Sequence, residues 1–138
     1  ILDQPVHQGL ARLVGQLNRV YRANGALWEQ DNVEAGFEWL EAGDAEHNVD
    51  AFLRWSSDGT AIAVIMNFSG QPVGPYRIGL PFAGEWEELL NTDAGDFGGS
   101  GVGNFGAVTA TDQPWAGRPA SAEITLPPLA GLWLKLRR

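Results

Sequence analysis

The sequence predicts a mainly β protein, an antiparallel β-sandwich preceded by a single helix. Three observations carry this prediction. Apolar residues alternate with polar ones from Glu34 onward, the alternating segments are short and separated by glycine and proline, and only the first segment has helical periodicity. Seven or eight short strands at this spacing are typical of a sandwich. A chain of 138 residues has the size of one ordinary domain.

The first element is predicted to be a helix with one apolar stripe. Its apolar side chains recur at spacings of three and four residues, at Val6, Leu10, Leu13, Val14, Leu17, Val20 and Tyr21. Asp3 is expected to cap its start, Pro5 suits its first turn, and Asn24-Gly25 is expected to end it. No other long helix is predicted. We therefore expect the stripe to pack against a neighbour that this sequence does not contain.

The remaining elements are predicted to be half-buried strands. Four sets of apolar residues alternate with more polar ones and so share a face: Val49, Ala51, Leu53 and Trp55; Tyr76, Ile78 and Leu80; Ala122, Ile124 and Leu126; Leu132, Leu134 and Leu136. The run "AIAVIM" from Ala61 is apolar throughout, which predicts a central strand covered on both faces. Asp58-Gly59, just before it, is a strong hairpin-turn signal.

Composition and charge exclude several classes of function. The sequence has 17 acidic and 9 basic residues, a net charge of −8, and nucleic acids or anionic membranes need clustered positive charge. It has no cysteine, which excludes disulfides and thiolate zinc sites and fits a reducing compartment. No run approaches the ~20 apolar residues that span a bilayer. These properties predict a cytoplasmic protein.

The segment Thr92–Gly106, "TDAGDFGGSGVGNFG", is long for a loop in a compact domain. Such loops are usually functional, disordered, or folded over a neighbour. Gly101, Gly103 and Gly106 fit the pattern G-x-G-x-x-G, but the following "AVTATDQPW" is β-branched and broken by Pro114 instead of helical. We interpret the glycines as loop geometry and predict no cofactor.

The acidic residues and histidines form no convincing catalytic or metal site. Asp93 and Asp96 offer too few oxygens at suitable spacing for calcium. The carboxylate pairs Asp44/Glu46 and Glu87/Glu88 are not placed around a pocket by anything in the sequence, and solvated turns and faces explain them better. His7 and His47 have no serine or cysteine partner arranged for nucleophilic catalysis. We therefore predict no catalytic residue and no metal ligand in the chain.

Several motifs, in a fixed order, resemble one enzyme family. The segments "LVGQLNRVYRANGALWEQD", "GFEWLEAGDAEHNVDAFLRW", "LLNTD", "GGSGVGN" and "EITLPPLAGLWL" resemble the C-terminal end of bacterial 1,4-α-glucan (glycogen) branching enzymes, in the α-amylase superfamily. The resemblance spans nearly the whole chain. Gly25 stands where the family often has proline, and Val6 stands where an acidic residue is common. Neither departure touches chemistry.

The resemblance implies a division of the chain. Residues 1–33 would be the last helical segment of a catalytic (β/α)8 barrel, and residues 34–138 the C-terminal all-β domain of α-amylase-like enzymes that packs on it. The family's reaction cuts an α-1,4 bond, forms a glucosyl-enzyme on an aspartate and transfers the chain to a 6-hydroxyl, using a glutamate as acid and base. These residues lie on earlier barrel strands. The resemblance thus implies a glycosyltransferase of glycogen biosynthesis whose 138-residue piece is inactive alone.

Three aromatic residues are the candidates for glucan contact. Phe37 and Trp39 share one face if they lie on a strand, where they could be core, domain interface or a surface for sugar. Sugar rings stack on aromatic faces, and Glu38, Glu41 or Asp44 could meet the hydroxyls. We assign Phe37 mainly to packing and keep both interface and glucan contact for Trp39. Trp115 is expected to face solvent. Trp86 and Trp133 are weaker candidates.

Three functions therefore remain open. The chain could be the C-terminal part of a branching transferase, whose partners are the upstream barrel and an α-glucan polymer. It could instead be a stand-alone carbohydrate-binding module or a purely structural β-cap. The one-sided helix favours the first possibility over the second, because an independent module would hardly carry a helix without a partner.

Overall fold

The computed structural model describes residues 3–137. One helix, α1 (Pro5–Ala23), precedes eight strands. The strands are β1 (Phe37–Asp44), β2 (Val49–Trp55), β3 (Ala61–Asn67), β4 (Val73–Leu80), β5 (Gly84–Asn91), β6 (Ala107–Ala110), β7 (Ala120–Leu126) and β8 (Ala130–Leu136). Short 3-10 turns lie at Gly25–Leu27, Glu34–Gly36 and Gly95–Phe97. The predicted class, mainly antiparallel β with one helix, is confirmed.

The strands form two antiparallel sheets. The larger has six strands in the order β1-β2-β3-β8-β5-β6, and the smaller pairs β4 with β7. Residues from both sheets pack together in one buried core, so the fold is a sandwich. We call the side of the large sheet that faces the small sheet its inner face and the opposite side its outer face.

The alternation in the sequence correctly predicted the inner face. The alternating residues at 49–53, 76–80, 122–126 and 132–134 are buried in the common core, with Trp55 and Leu136 partly buried beside them. The prediction for "AIAVIM" is also confirmed. Ala63 and Ile65 lie in the common core, while Ile62 and Val64 lie in a second buried cluster on the outer face. Asp58 and Gly59 form the turn that joins β2 to β3.

Helix α1 ends where the sequence predicted but its start is capped differently. Gln4 is the N-cap, in extended conformation and without a side-chain cap, and Pro5 is the first helical residue. The prediction that Asp3 caps the helix is wrong, because Pro5 fixes the first turn and Asp3 lies one residue too early. Asn24 ends the helix, and its side-chain Nδ2 donates a 2.8 Å hydrogen bond to the carbonyl of Val20.

The helix rests on the loop that follows β5. The closest approach is at the buried Gly9, where an added Cβ would lie 2.5 Å from the carbonyl oxygen of Phe97. Arg12 Nε donates a 2.8 Å hydrogen bond to the carbonyl of Asp96. Only Val20 of the predicted stripe is fully buried. Its other members are half-buried (Leu13, Leu17) or exposed: Val6, Leu10, Val14 and Tyr21, here called the apolar flank.

The segment after the helix covers part of the outer face. Ala26 is buried against Ile62 and Val64. Asn24 accepts a 2.9 Å hydrogen bond from Lys135 Nζ, and the Gln30 amide donates one of 3.0 Å to the carbonyl of Trp55. The rest of the outer face is not covered by this segment, and it carries the first candidate site.

Candidate functional surface

A row of large apolar residues crosses the outer face of the large sheet. The strand registers place Trp39 opposite Phe52, Phe52 opposite Val64, and Val64 opposite Trp133. Residues directly opposite in neighbouring strands have adjacent side chains on the same face. We call these four residues (Trp39, Phe52, Val64, Trp133) the outer row. It is buried from solvent at Val64 and exposed at its β1 end, at Trp39.

Phe37, Trp39 and Phe52 form an aromatic cluster at that open end. Phe37 meets Trp39 edge-on at 5.1 Å between ring centroids and stacks on Phe52 at 5.1 Å, while Trp39 meets Phe52 edge-on at 6.2 Å. Trp39 is 52% exposed and Phe37 36%. Phe37 therefore packs, as predicted, but it does so on the surface of the sheet. The ring of Trp39 keeps about half of its area open to a ligand or a neighbouring domain.

Trp115 lies in a different place. It is 47% exposed, which confirms that it faces solvent, and the guanidinium carbon of Arg77 lies 5.8 Å from its ring centroid. An added Cβ at Gly79 would lie 2.5 Å from the carbonyl of Trp115, so this loop packs on β4 of the small sheet. The three predicted glucan-contact residues therefore lie at two separate places: Phe37 and Trp39 together, and Trp115 beside Arg77. Of the two weaker candidates, Trp86 is 0% exposed and Trp133 is half-buried.

An arginine ties the edge of the large sheet to the Trp115 loop. Arg118 donates a 2.9 Å hydrogen bond to the carbonyl of Trp39 and forms an ion pair with Glu38. Glu38 also accepts a 3.2 Å hydrogen bond from Trp55 Nε1. Glu38 was a candidate partner for sugar hydroxyls, but its carboxylate is already engaged within the protein.

Asp44 is also engaged, at the turn between β1 and β2. It accepts hydrogen bonds from Tyr76 Oη (2.9 Å) and from the backbone amide of His47 (3.1 Å), and His47 Nδ1 lies 2.9 Å from its Oδ2. Partial burial raises the pKa of Asp44, but these hydrogen bonds outweigh it and hold the pKa below its usual value. Burial and the bond to Asp44 raise the pKa of Tyr76 well above its usual value. This group joins the large sheet to β4.

The long loop is built around two carboxylates. Asp93 accepts hydrogen bonds from the amides of Ser100 (3.0 Å) and Val102 (3.3 Å) and from the Ser100 hydroxyl. Glu88 Oε1 accepts the amides of Asn104 (2.9 Å) and Gly106 (3.1 Å). Glu88 was interpreted as part of a solvated pair, but its Oε1 accepts loop amides. Backbone amides that no strand satisfies need acceptors, and the sequence does not show which acidic side chains supply them.

The glycines serve this loop. Gly101 and Gly106 have φ of 81° and 94°, the region that favours glycine, and the chain continues into strand β6 without a helix. The cofactor interpretation of the G-x-G-x-x-G pattern therefore has no structural support. Within residues 3–137, no group of three or more histidine, aspartate or glutamate side chains is placed to hold a metal ion.

A cleft of about 450 Å³ with a mixed polar and apolar lining lies between α1, β5 and the long loop; it was not predicted from the sequence, and it is here called the polar cleft for the side chains of its helix wall. Its lining residues are Arg12, Gln16, Arg19, Glu88, Leu89, Leu90, Asn91, Ala94, Asp96 and Phe97. The signal was present as polar residues at i, i+4 and i+7 on the helix, which place Arg12, Gln16 and Arg19 on one side. A separate apolar recess of about 350 Å³ lies beside Trp133 and is lined by Met66, Phe68 and Leu129 among others.

Comparison with known sequences decides the family. Residues 39–137 match the family described as "Alpha amylase, C-terminal all-beta domain". The chain belongs to the alpha-amylase C-terminal all-beta domain family. Its two antiparallel sheets are the all-β part of that description.

Two similar relatives of this alpha-amylase C-terminal domain are branching enzymes. The chain is 64% identical over all of its length to the 1,4-alpha-glucan branching enzyme GlgB of Leifsonia xyli subsp. xyli and 56% identical over 99% of its length to that of Nocardia farcinica. It covers 19% and 18% of those proteins, so it spans about a fifth of the length of the curated relatives it matches. The chain is homologous to the C-terminal part of branching enzymes.

A solved structure supports the fold of the alpha-amylase C-terminal domain. An alpha-amylase from H. orenii superimposes with a TM-score of 0.52 over 90% of this chain, at 18% identity, and the match covers 20% of the amylase chain. At that identity the likeness concerns the fold alone. In the part of the chain that the structure describes, no helix is long and apolar enough to cross a membrane.

Proposed function

We propose that this chain is the non-catalytic C-terminal portion of a bacterial enzyme that makes α-1,6 branches in glycogen by transglycosylation. The observation that carries the proposal is 64% identity over the entire chain to a branching enzyme, together with the matching all-β family. The protein would act in the cytoplasm, which agrees with the absence of cysteine. The chain's role would be to support the catalytic barrel and to contact the glucan polymer.

The proposed division places the domain boundary after the helix. Residues 1–33 would close the barrel and residues 34–138 would form the all-β domain, although residues 1, 2 and 138 lie outside the described part. The apolar flank of α1 supports this division, because Val6, Leu10, Val14 and Tyr21 stay exposed although the other side of the helix is docked. Contiguous apolar surface of this kind marks an interaction site.

The outer face of the large sheet supports the same arrangement. The open end of the outer row and the apolar recess beside Trp133 leave large side chains partly uncovered, while the inner face is closed. A packed barrel would bury the flank of α1 and much of this face. The same aromatic cluster offers Trp39 as a surface on which a glucan ring can stack at the border of such an interface.

The catalytic prediction is tested by branching of amylose followed by iodine staining. We expect no branching by the 138-residue chain, because the catalytic aspartate and glutamate of branching enzymes lie on earlier barrel strands, and we expect branching by the longer protein that carries a barrel. Branching by the 138-residue chain itself would overturn the non-catalytic assignment. Absence of branching by a folded longer protein would overturn the proposed enzyme.

Glucan contact is tested by electrophoresis of the chain in native gels that contain glycogen. We expect retardation, and we expect Trp39→Ala to reduce it because its half-exposed ring is removed. Trp28→Ala is the matched control, since Trp28 is a 43% exposed tryptophan that lies outside the aromatic cluster and lines neither the polar cleft nor the opening along the long loop. Equal retardation of both variants would remove Trp39 from the glucan site. No retardation of the parent chain would favour a purely structural cap.

A further inference from the structure

The arginines among residues 3–137 divide into two groups. Those on the sandwich are paired with carboxylates, in the pairs Arg54–Asp31, Arg77–Glu123, Arg118–Glu38 and Arg137–Glu85. The three on α1, which are Arg12, Arg19 and Arg22, have no carboxylate within ion-pair distance among residues 3–137. In a chain of net charge −8, guanidinium groups left without a carboxylate are notable. Two of these three line the polar cleft.

The helix wall of the cleft holds its polar groups in fixed places. Arg19 donates to Gln16 Oε1 from Nε at 3.1 Å and from Nη2 at 2.8 Å. Arg12 is anchored by its Nε bond to the Asp96 carbonyl, which leaves its two Nη groups available. Because one residue adds about 1.5 Å along a helix, these side chains are spread over roughly 10 Å. The donors therefore form a line along the cleft and do not converge on one point.

The opposite wall supplies an acceptor and an apolar surface. Glu88 lines the cleft with a carboxylate whose Oε1 is held by loop amides, and its Oε2 has no hydrogen-bond partner among the described residues. Phe97 adds a half-buried ring and Leu89 an aliphatic side chain. A carboxylate facing the guanidinium groups opposes binding of a free anion such as phosphate. Donors on one wall, an acceptor on the other and an aromatic ring suit a neutral, hydroxyl-rich ligand.

A second opening adjoins the polar cleft. It has a volume of about 440 Å³, runs along the glycine-rich loop, and shares Glu88, Asn91 and Ala94 with the first. Each volume lies within the range of about 300–1,000 Å³ that is usual for small-molecule sites. An elongated path in which hydrogen-bonding groups are set among apolar surface suits a linear oligomer better than a single sugar.

We propose that the cleft between α1 and the glycine-rich loop is a binding site for a segment of linear α-1,4-linked glucan. The site rests on the proposed glucan-related function but is separate from the aromatic cluster at Trp39. Arg12, Gln16 and Arg19 hydrogen-bond the sugar hydroxyls from the helix. Glu88, on β5, accepts hydrogen bonds from sugar hydroxyls, and Phe97 contacts a ring face. The site would hold polymer away from the catalytic barrel strands.

The test is titration of the protein with maltoheptaose, measured by calorimetry and by amide chemical shifts. Arg19→Ala and Gln16→Ala remove groups whose hydrogen-bond partner lies within the same helix, so the fold is preserved. We expect each to weaken binding about fivefold, as the loss of one hydrogen bond of ~1 kcal/mol implies. Arg22→Ala is the matched control, because it removes an exposed arginine of the same helix that does not line the cleft. It should leave affinity unchanged.

The results of the titration test the glucan site in the cleft independently of the proposed branching function. Shifts at residues 88–91 and 95–97 on adding maltoheptaose support the site if they need about fivefold more ligand in Arg19→Ala but not in Arg22→Ala. Equal affinity of Arg19→Ala, Gln16→Ala and the parent protein overturns it, as does binding of inorganic phosphate in place of maltoheptaose. Iodine staining of the longer protein's product scores the branching function independently, so the cleft can fail while that function stands.

Discussion

The inner and outer faces of the large sheet are made by the same strands but differ in how they are closed. On the inner face, buried residues from five strands of the large sheet pack into one core with both strands of the small sheet. On the outer face, a smaller buried cluster under Ala26 gives way to half-exposed rings at Trp39 and Phe37. The difference shows that apolar composition alone does not say whether a face is buried within the chain. We therefore expect substitutions on the inner face to lower stability more than substitutions at the exposed rings of the outer face.

The comparison predicts its largest effect at the centre of the inner core. Trp86 is fully buried and its Nε1 donates a 3.1 Å hydrogen bond to the Phe82 carbonyl. We expect Trp86→Ala to lower the free energy of unfolding by about 3–5 kcal/mol, because a large cavity remains. Urea unfolding followed by circular dichroism measures this. A loss no larger than that of Trp39→Ala would break the distinction between the two faces.

A second effect is expected where the helix meets the loop. Gly9→Ala places a Cβ 2.5 Å from the Phe97 carbonyl oxygen, so the helix must shift. We expect a loss of about 1–3 kcal/mol, as in other overpacked contacts. Gly15→Ala is the matched control: its Cβ meets only the end of Arg19 at 3.6 Å, and alanine in a helix gains about 0.5–1 kcal/mol over glycine. Thermal unfolding of both variants should move in opposite directions.

A smaller effect depends on pH and concerns the join between the two sheets. The pKa of Asp44 is held below its usual value in the folded protein, so its ionised form contributes stability above the unfolded pKa of about 3.9, and that contribution is lost as the pH falls through the folded pKa. Urea unfolding from pH 5 to pH 3 should show, at pH 5, a gap in the free energy of unfolding, with the parent more stable than Asp44→Asn. The gap should narrow below pH 4. A gap that widens on acidification would contradict the hydrogen-bonded carboxylate.

The smallest effect is expected on the outer face. Trp39→Ala removes two edge-on aromatic contacts and little buried area, so we expect a stability loss of about 1 kcal/mol. Urea unfolding, compared with Phe105→Ala, gives the value. A loss of several kcal/mol would mean that Trp39 is a core residue, and it would count against the proposal that Trp39 contacts glucan.

Local periodicity was enough to predict most of the fold. Alternation predicted which residues of β2, β4, β7 and β8 face the core, and the apolar run at Ala61 correctly predicted a strand buried on both sides. These properties follow from strand geometry alone. The start of α1 was missed at Asp3 because a cap position depends on where the first helical residue lies, and Pro5 settles that.

The candidate sites were harder to predict from the sequence than the fold, because they depend on contacts between residues that are far apart in the chain. Glu38 and Asp44 were expected near a sugar, but Arg118 and Tyr76, which engage them, lie 80 and 32 residues away. The polar cleft needs α1 and β5 to come together, which no local pattern shows. Exposure of Trp115 was predictable because it lies in a turn-rich segment outside the strand alternation.

The bond from Arg118 to the Trp39 carbonyl has a consequence for how copies of the protein meet. Strand β1 is the end strand of its sheet, and an unpaired end strand invites a strand of another molecule to add on. Two register irregularities bend β1, and the guanidinium already occupies one of its carbonyls. The bends and the occupied carbonyl leave β1 fewer free backbone groups for a strand of another molecule to pair with.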